Sequence, residues 1–438
     1  MTAIVKPALG EIKQSDRPKI ADAHKIADVL GPGLITGASD DDPSGIATYS
    51  QAGAQFGYAL GWTLLLTYPL MCAIQMISAQ VGRVTGRGLA GNMRRHYPVS
   101  FVYTLVALLL VANIINIGAD LGAMAAALRL LVDGPQLVFV AAFAVVTIPL
   151  EVFMRYSRYA SVLRWLTISL FAYVATAFAV GVPWLTVAGN LVAPQIKFSG
   201  DYLTVVVAVF GTTISPYLFF WQAGEEVEDE KGDPAVKPLS ETPLQAPRQM
   251  ARIQIDTLVG MGISNLVGLF IMITTAATLN AHGVTDIQTS SQAAEALRPI
   301  AGSFAFTVFT LGIVGTGMLA LPVLAGSAAY AVGEALHWRV GLAQRPGRAK
   351  AYYGVIAVAT LVGAGLNYTS LDPIKALFWS AVINGVAAVP IMAMIMLMAT
   401  RKAVMGQFTL TKWLTGLGWL ATAAMAAAAV GMFATWDN

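Results

Sequence analysis

Eleven apolar stretches, each about as long as a membrane is thick, dominate this chain. A helix needs about 20 mostly apolar residues to cross the hydrocarbon core. Stretches of that kind lie near 28–54, 57–82, 100–130, 135–154, 162–183, 202–223, 252–278, 302–334, 352–368, 374–400 and 413–435. Inside lipid every backbone polar group has to be satisfied within the protein, which favours helices for long apolar runs. The pattern therefore predicts an all-α integral membrane protein with about eleven transmembrane helices. Composition agrees: 12% of the 438 residues are charged, against about 25% in soluble domains. Cys72 is the single cysteine, so no disulfide holds the fold. A net charge of +3 is too small to argue for a nucleic-acid partner.

Residues 1–27 are polar, with Lys6, Lys13, Arg17, Lys19 and Lys25, and lack the apolar region of a signal peptide. They read as a cytoplasmic tail, followed by one transmembrane domain over 28–438. Loop charge sets the orientation, because lysine and arginine collect on the cytoplasmic side. Arg83, Arg87, Arg94 and Arg95 follow span 2, and Arg155, Arg158 and Arg164 follow span 4. Lys231, Lys237 and Arg248 follow span 6, Arg339, Arg345, Arg348 and Lys350 follow span 8, and Arg401 and Lys402 follow span 10. The opposite loops offer little beyond Arg129, Lys197 and Arg298. Even-numbered loops and the N-terminus are thus expected in the cytoplasm, with the chain in the cell's inner membrane. Glu225, Glu226, Glu228, Asp229 and Glu230 form an acidic run after span 6. It reads as a solvated helix end, with cation collection as the alternative, and Pro234, Pro238, Pro243 and Pro247 suggest a flexible connection behind it.

Two spans are interrupted. Span 1 meets Asp40, Asp41, Asp42, Pro43, Ser44 and Gly45 near mid-membrane. Proline lacks a backbone N–H, so Pro43 frees carbonyls around residues 37–40. A carboxylate at the bilayer centre costs at least about 2.5 kcal/mol, so three in a row need water, an ion or a partner. Span 6 breaks in the same way at Gly211, Thr212, Thr213, Ser215 and Pro216. The two breaks occupy equivalent places in two five-helix halves, about 28–183 and 202–400, with an extra helix near 413–435. Interrupted segments at matching positions point to a transporter's binding site. Unwound carbonyls, carboxylates and hydroxyls make an all-oxygen site suited to a hard divalent cation such as Mg²⁺ or Mn²⁺.

These residues resemble a known family. Gly31-Pro32-Gly33 and Asp42-Pro43-Ser44-Gly45 are similar to the first helix of the NRAMP divalent metal transporters, whose motif is Asp-Pro-Gly-Asn. The segment from Val81 to Pro98 is similar to the family's arginine, Val-Thr-Gly and Leu-Ala stretch, and Asp120-Leu121 to its Asp-Leu-Ala-Glu. The resemblance implies a LeuT-type 5+5 inverted repeat with broken helices 1 and 6, in which a monomer suffices. It implies a metal site at Asp42, Gly45, Thr212 (through its carbonyl) and Ser215. Gly45 stands where the family has asparagine and Ser215 where it has methionine, leaving a harder and roomier pocket. The family's two helix-6 histidines and its helix-3 glutamate fall at Tyr217, Gln222 and Ala123, none of which titrates near neutral pH. That pattern resembles the NRAMP-related magnesium transporter branch, which implies Mg²⁺ or Mn²⁺ uptake without proton coupling. The alternative is a proton-coupled Mn²⁺/Fe²⁺ symporter.

Other residues read as pocket or vestibule candidates. At least one of Asp40 and Asp41 is expected to face the aqueous vestibule, and Asp120 is a lone carboxylate in an apolar helix. Asn384 on span 10 lines the pocket or bonds a neighbouring helix; Asn113, Asn116, Asp256 and Asn265 are similar. Glu151 has the spacing to pair with Arg155. His24, His96, His282 and His337 lie in tails or loops and form no metal cluster, and no cofactor motif is present. An organic-solute symporter of the same fold would place a substrate carboxylate against three aspartates, which repel it. An intramembrane aspartyl protease built on Asp42 and Asp120 would need a coupled carboxylate pair.

Overall fold

The structure is a computed structural model that describes residues 36–37, 39–153, 168–232, 236–342, 344–369 and 372–436. The N-terminal tail, Gly31 to Gly33, Pro234 and the arginines at 155, 158 and 164 lie outside the described residues. Each apolar stretch is mainly helical over its described part, and no strand occurs among the described residues. Residues 36, 37, 39 and 40 are helical, followed after the break by α1 (Pro43–Phe56), α2 (Gly61–Thr85), the short α3 (Leu89–His96) and α4 (Val99–Leu128). Next come α5 (Gln136–Phe153), α6 (Phe171–Ala179), α7 (Trp184–Val192), α8 (Gly200–Thr213) and α9 (Pro216–Gly232). The second half continues with α10 (Ala246–Thr278), α11 (Ala305–Ala335), α12 (Lys350–Leu366), α13 (Pro373–Ala399) and α14 (Lys412–Ala434).

By length and hydropathy, eight helical stretches among the described residues can cross a membrane, or nine if α6 and α7, bent by 112°, count together. The number is below eleven because α1 runs into α2 through a 3-10 turn at Gly57–Leu60, α12 has 17 residues, and the fifth apolar stretch is the bent α6–α7 pair. Gly57 permits that turn with φ +58, a conformation other residues rarely take.

Helix α4 runs through the middle, packed on α11, α12 and α13, while α1 lies on α10 and α8 on α13. Glycines allow backbone to meet backbone at several of these seams. A methyl group added at Gly37 would fall on the backbone of Gly260, and one at Gly211 on Ala381 and Gly385 of α13. One at Gly118 would lie 2.6 Å from the Gly363 carbonyl of α12. Such close approach is how apolar helices gain packing in lipid.

The basic helix ends share one face. Arg83 ends α2 with 1% exposure and is held by α9, 3.3 Å from Asp229 and 4.0 Å from Glu226. Arg252 of α10 pairs with the same Glu226, and lies 3.8 Å from Asp229. Glu334 of α11 accepts from the Gly88 and Gly91 N–H groups, both at 2.9 Å, at the start of α3. The Arg401 guanidinium sits 4.9 Å from the Tyr97 ring centre. The acidic run is therefore not simply a solvated helix end: Glu226 is buried because two arginines from other helices compensate it. Nor is the whole following segment a flexible connection. Leu239 and Ser240 donate to the Arg83 and Val84 carbonyls, covering orphan acceptors at the end of α2, and Pro243 and Pro247 open helical turns.

Candidate functional site

Both breaks arise from one piece of backbone chemistry. In a continuous helix the N–H of residue i bonds the carbonyl of residue i−4. Pro43 cannot supply that bond to Ser39, nor Pro216 to Thr212. Each orphaned carbonyl meets a hydroxyl instead. The Tyr217 hydroxyl of α9 lies 3.3 Å from the Ser39 carbonyl, and the Ser215 hydroxyl lies 3.0 Å from that of Thr212. Ser215 also reaches the Gly211 carbonyl at 2.7 Å.

Asp42 is the N-cap of α1. Its Oδ1 accepts from the Gly45 N–H at 2.7 Å, the bond a helix start needs, and its backbone is extended at φ −68, ψ 169. Its Oδ2 lies 3.3 Å from the Tyr217 hydroxyl. A hydroxyl has one hydrogen, so Tyr217 serves either Ser39 or Asp42 at a given moment. Gly45 brings the two breaks together, since a methyl group there would stand 3.2 Å from Thr212 Oγ1. Asp42, Gly45, Thr212 and Ser215 thus occupy one place in the fold, buried at the junction of α1 and α8.

Asp40 and Asp41 differ from expectation. They are 1% and 6% exposed, and neither faces a vestibule in this conformation. The Ser264 hydroxyl of α10 draws them in, at 2.7 Å from Asp40 Oδ2 and 3.0 Å from Asp41 Oδ1. Gln222 of α9 accepts from Thr36 at 2.5 Å through Oε1, while its Nε2 has no protein partner. Tyr217 and Gln222 therefore fasten both sides of the first break to α9. Ser44 adds a bond to the Leu377 carbonyl of α13 at 3.2 Å.

Asp120 of α4 is fully buried, and neither carboxylate oxygen has a hydrogen-bond partner. It stands one turn before Met124, which meets Pro43 of α1 at Gly317 of α11, so Asp120 lies near the first break. Asn116, one turn away, is equally buried and unpartnered at both side-chain atoms, whereas Asn113 bonds the Leu324 carbonyl at 2.8 Å and Ser327 at 2.9 Å. Asn384 is buried with Oδ1 unpartnered, and Asn265 bonds the Leu64 carbonyl at 3.0 Å. Glu151 is buried with both oxygens unpartnered, and its expected partner Arg155 falls outside the described residues.

The arrangement is closed: every named residue of the two breaks is buried. A cavity of about 320 Å³ lies elsewhere, at the far ends of α8, α13 and α14, and is lined by Asp201, Thr204, Trp379 and Trp436. Among the described residues no three His, Cys, Asp or Glu side chains gather as a metal cluster, so an ion here would depend on carbonyls and hydroxyls as well. Sequence reading missed Ser264, Thr36 and the Leu377 carbonyl as partners of the first break. Ser264 carried a faint signal as a hydroxyl inside a long apolar span.

Comparison with known proteins places the chain. A family model described as natural resistance-associated macrophage protein-like (Nramp) matches residues 33–435. The chain is 25% identical over 401 residues to the divalent metal cation transporter MntH of Klebsiella pneumoniae, covering 89% of this chain and 90% of that protein. It is 27% identical over 425 residues to MntH of Verminephrobacter eiseniae, covering 92% and 88%. In structure it is similar to the Eremococcus coleocola manganese transporter, with a TM-score of 0.74, 18% identity, and coverage of 94% of this chain and 87% of that one. It is also similar to Mhp1, a nucleobase-cation-symport-1 family transporter, with a TM-score of 0.54, 13% identity and 93% of each chain covered. These neighbours fit the LeuT-type membrane fold. With its paired helix breaks and a match spanning nearly its whole length, this multi-pass membrane protein belongs to the Nramp family.

Proposed function

We propose that the protein carries a divalent metal cation across the cell's inner membrane, as an uptake transporter whose N-terminus lies in the cytoplasm. The observation that carries this reading is Asp42, a buried carboxylate at one helix break that faces the Thr212–Ser215 break of the second half. The family membership and the metal-transport activities of its relatives support the same substrate class. Asp42 supplies charge, the Thr212 carbonyl and the Ser215 hydroxyl supply oxygen, and Gly45 leaves room for retained water. The Ser215 hydroxyl has both the Gly211 carbonyl, at 2.7 Å, and the Thr212 carbonyl, at 3.0 Å, as acceptors, so donating to Gly211 would leave the Thr212 carbonyl free for an ion. The 5+5 repeat, with residues 28–183 and 202–400 as its halves, would rock about this point.

Mg²⁺ and Mn²⁺ fit an all-oxygen donor set better than metals that favour sulfur. Mg²⁺ sheds water reluctantly, which suits a site with few direct ligands. Transport without proton coupling follows from Tyr217 and Gln222, which hold the break by hydrogen bonds and offer no group that titrates near neutral pH. The test is Mg²⁺ and Mn²⁺ uptake into proteoliposomes containing a pH dye, for the wild-type chain and Asp42→Ala. Uptake of both ions without acidification, lost in the variant, is expected. Acidification that accompanies Mn²⁺ alone would replace this reading with a proton-coupled symporter. Uptake unchanged by Asp42→Ala would remove the site.

A further inference from the structure

Helix α4 carries a polar stripe through an otherwise apolar span. Asn113, Asn116 and Asp120 recur at intervals of three and four residues, which sets them on one face of a helix. Met124, one turn further, continues that face and packs on Gly317 of α11, the same glycine that Pro43 approaches. Gly118 and Gly122 point the other way, onto Gly363 and Asn367. The stripe therefore faces α11 and, at its Met124 end, Pro43 of the first break, rather than α12.

Along the stripe, satisfaction of polar atoms changes abruptly. Asn113 is anchored on α11, with its amide donating to Leu324 and Ser327. Asn116 and Asp120 are 0% exposed, and none of their four side-chain nitrogen and oxygen atoms has a partner. Leaving a buried polar group unmade is costly, and a lone buried charge more so. Two such side chains one turn apart, beside a proposed ion site, are arranged to meet a cation and its water rather than each other.

We propose that Asp120 and Asn116 form a second, transient site for the divalent cation, which receives the ion from Asp42 with part of its water shell. The inference rests on Asp42 as the first site. Asp120 contributes the charge, and the Asn116 carbonyl oxygen and amide serve the ion and its retained water. Such a hand-over keeps the ion near a carboxylate while the first break reopens. It also accounts for a family-like Asp120 beside Ala123, where the family's helix-3 glutamate is missing.

Mn²⁺ serves as the probe, counted by electron paramagnetic resonance on the purified full chain and followed by uptake into proteoliposomes. The wild-type chain should bind two Mn²⁺ ions, one more weakly. Asp42→Ala should retain the weaker ion, and Asp120→Asn with Asn116→Leu should retain the tighter one. Asn116→Leu alone should lower the maximal uptake rate about tenfold with little change in KM, the signature of a step after binding. Asn116→Gln should restore part of the rate, which mere packing would not predict; if the leucine variant does not fold, Asn116→Ser takes its place. One bound Mn²⁺, lost entirely in Asp42→Ala, would overturn the second site and leave the first intact. No bound Mn²⁺ in the wild-type chain would overturn both. Unchanged uptake in a folded Asn116 variant would also overturn the hand-over.

Discussion

Carboxylates occur at two depths of this fold and meet two different environments. At the basic end, Glu226 lies between Arg83 and Arg252, and Glu334 caps the start of α3 with two N–H bonds. At the helix breaks, Asp40 and Asp41 compete for one Ser264 hydroxyl, and Asp120 has nothing. Glu226 is as buried as the aspartates and Glu334 is half-buried, so burial alone does not distinguish the two sets. What differs is whether the protein supplies a countercharge or a full set of hydrogen bonds. Where it does, the acid belongs to the architecture; where it does not, the charge is left for something that comes and goes.

That contrast can be broken most directly at Asp42. Replacing it with alanine should reduce uptake at least about a hundredfold, while the loss of its N-cap costs only about 1 kcal/mol of stability. Proteoliposome flux and thermal unfolding of the same preparation test both halves; a large fall in stability would move Asp42 to the architectural class. Glu226→Ala should behave in the opposite way. It leaves buried Arg83 with Asp229 as its remaining close ion-pair partner, and breaking such a pair costs about 3–5 kcal/mol. A lowered melting temperature in detergent is expected, and an unchanged one would show that the pairs carry no stability. The smallest effect belongs to Tyr217→Phe, which removes the hydroxyl from the Ser39 carbonyl and from Asp42 at about 1–3 kcal/mol. Its uptake should weaken without vanishing, with no acidification of the vesicle; complete loss would mean that Tyr217 does more than position the break.

The membrane spans and both breaks were legible because they are local signals: run length, a proline, and acids where lipid should be. Asp120 was legible for the same reason, as a charge inside an apolar helix. The partners were not. Ser264 meets Asp40 across 224 residues and Gln222 meets Thr36 across 186, and no local pattern encodes such pairings. The acidic run illustrates the limit. Read along the chain, Glu225 to Glu230 is a polar helix end; only folding brings Arg83 and Arg252 to Glu226 and turns one of its members inward. The burial of Asp40 and Asp41 was missed likewise, because a single hydroxyl on another helix decides it.

The glycine seams bear on speed rather than on strength. Interlocked side chains act as teeth, and sliding past them requires each to leave its rotamer well. Where Gly37 meets Gly260, and Gly211 meets Ala381 and Gly385, two nearly smooth backbones touch. Those seams lie beside the first and second breaks, so each half of the proposed rocking motion has a track without teeth. An alanine there would act as a pebble in the rail, slowing the cycle even in molecules that fold and still hold their ion.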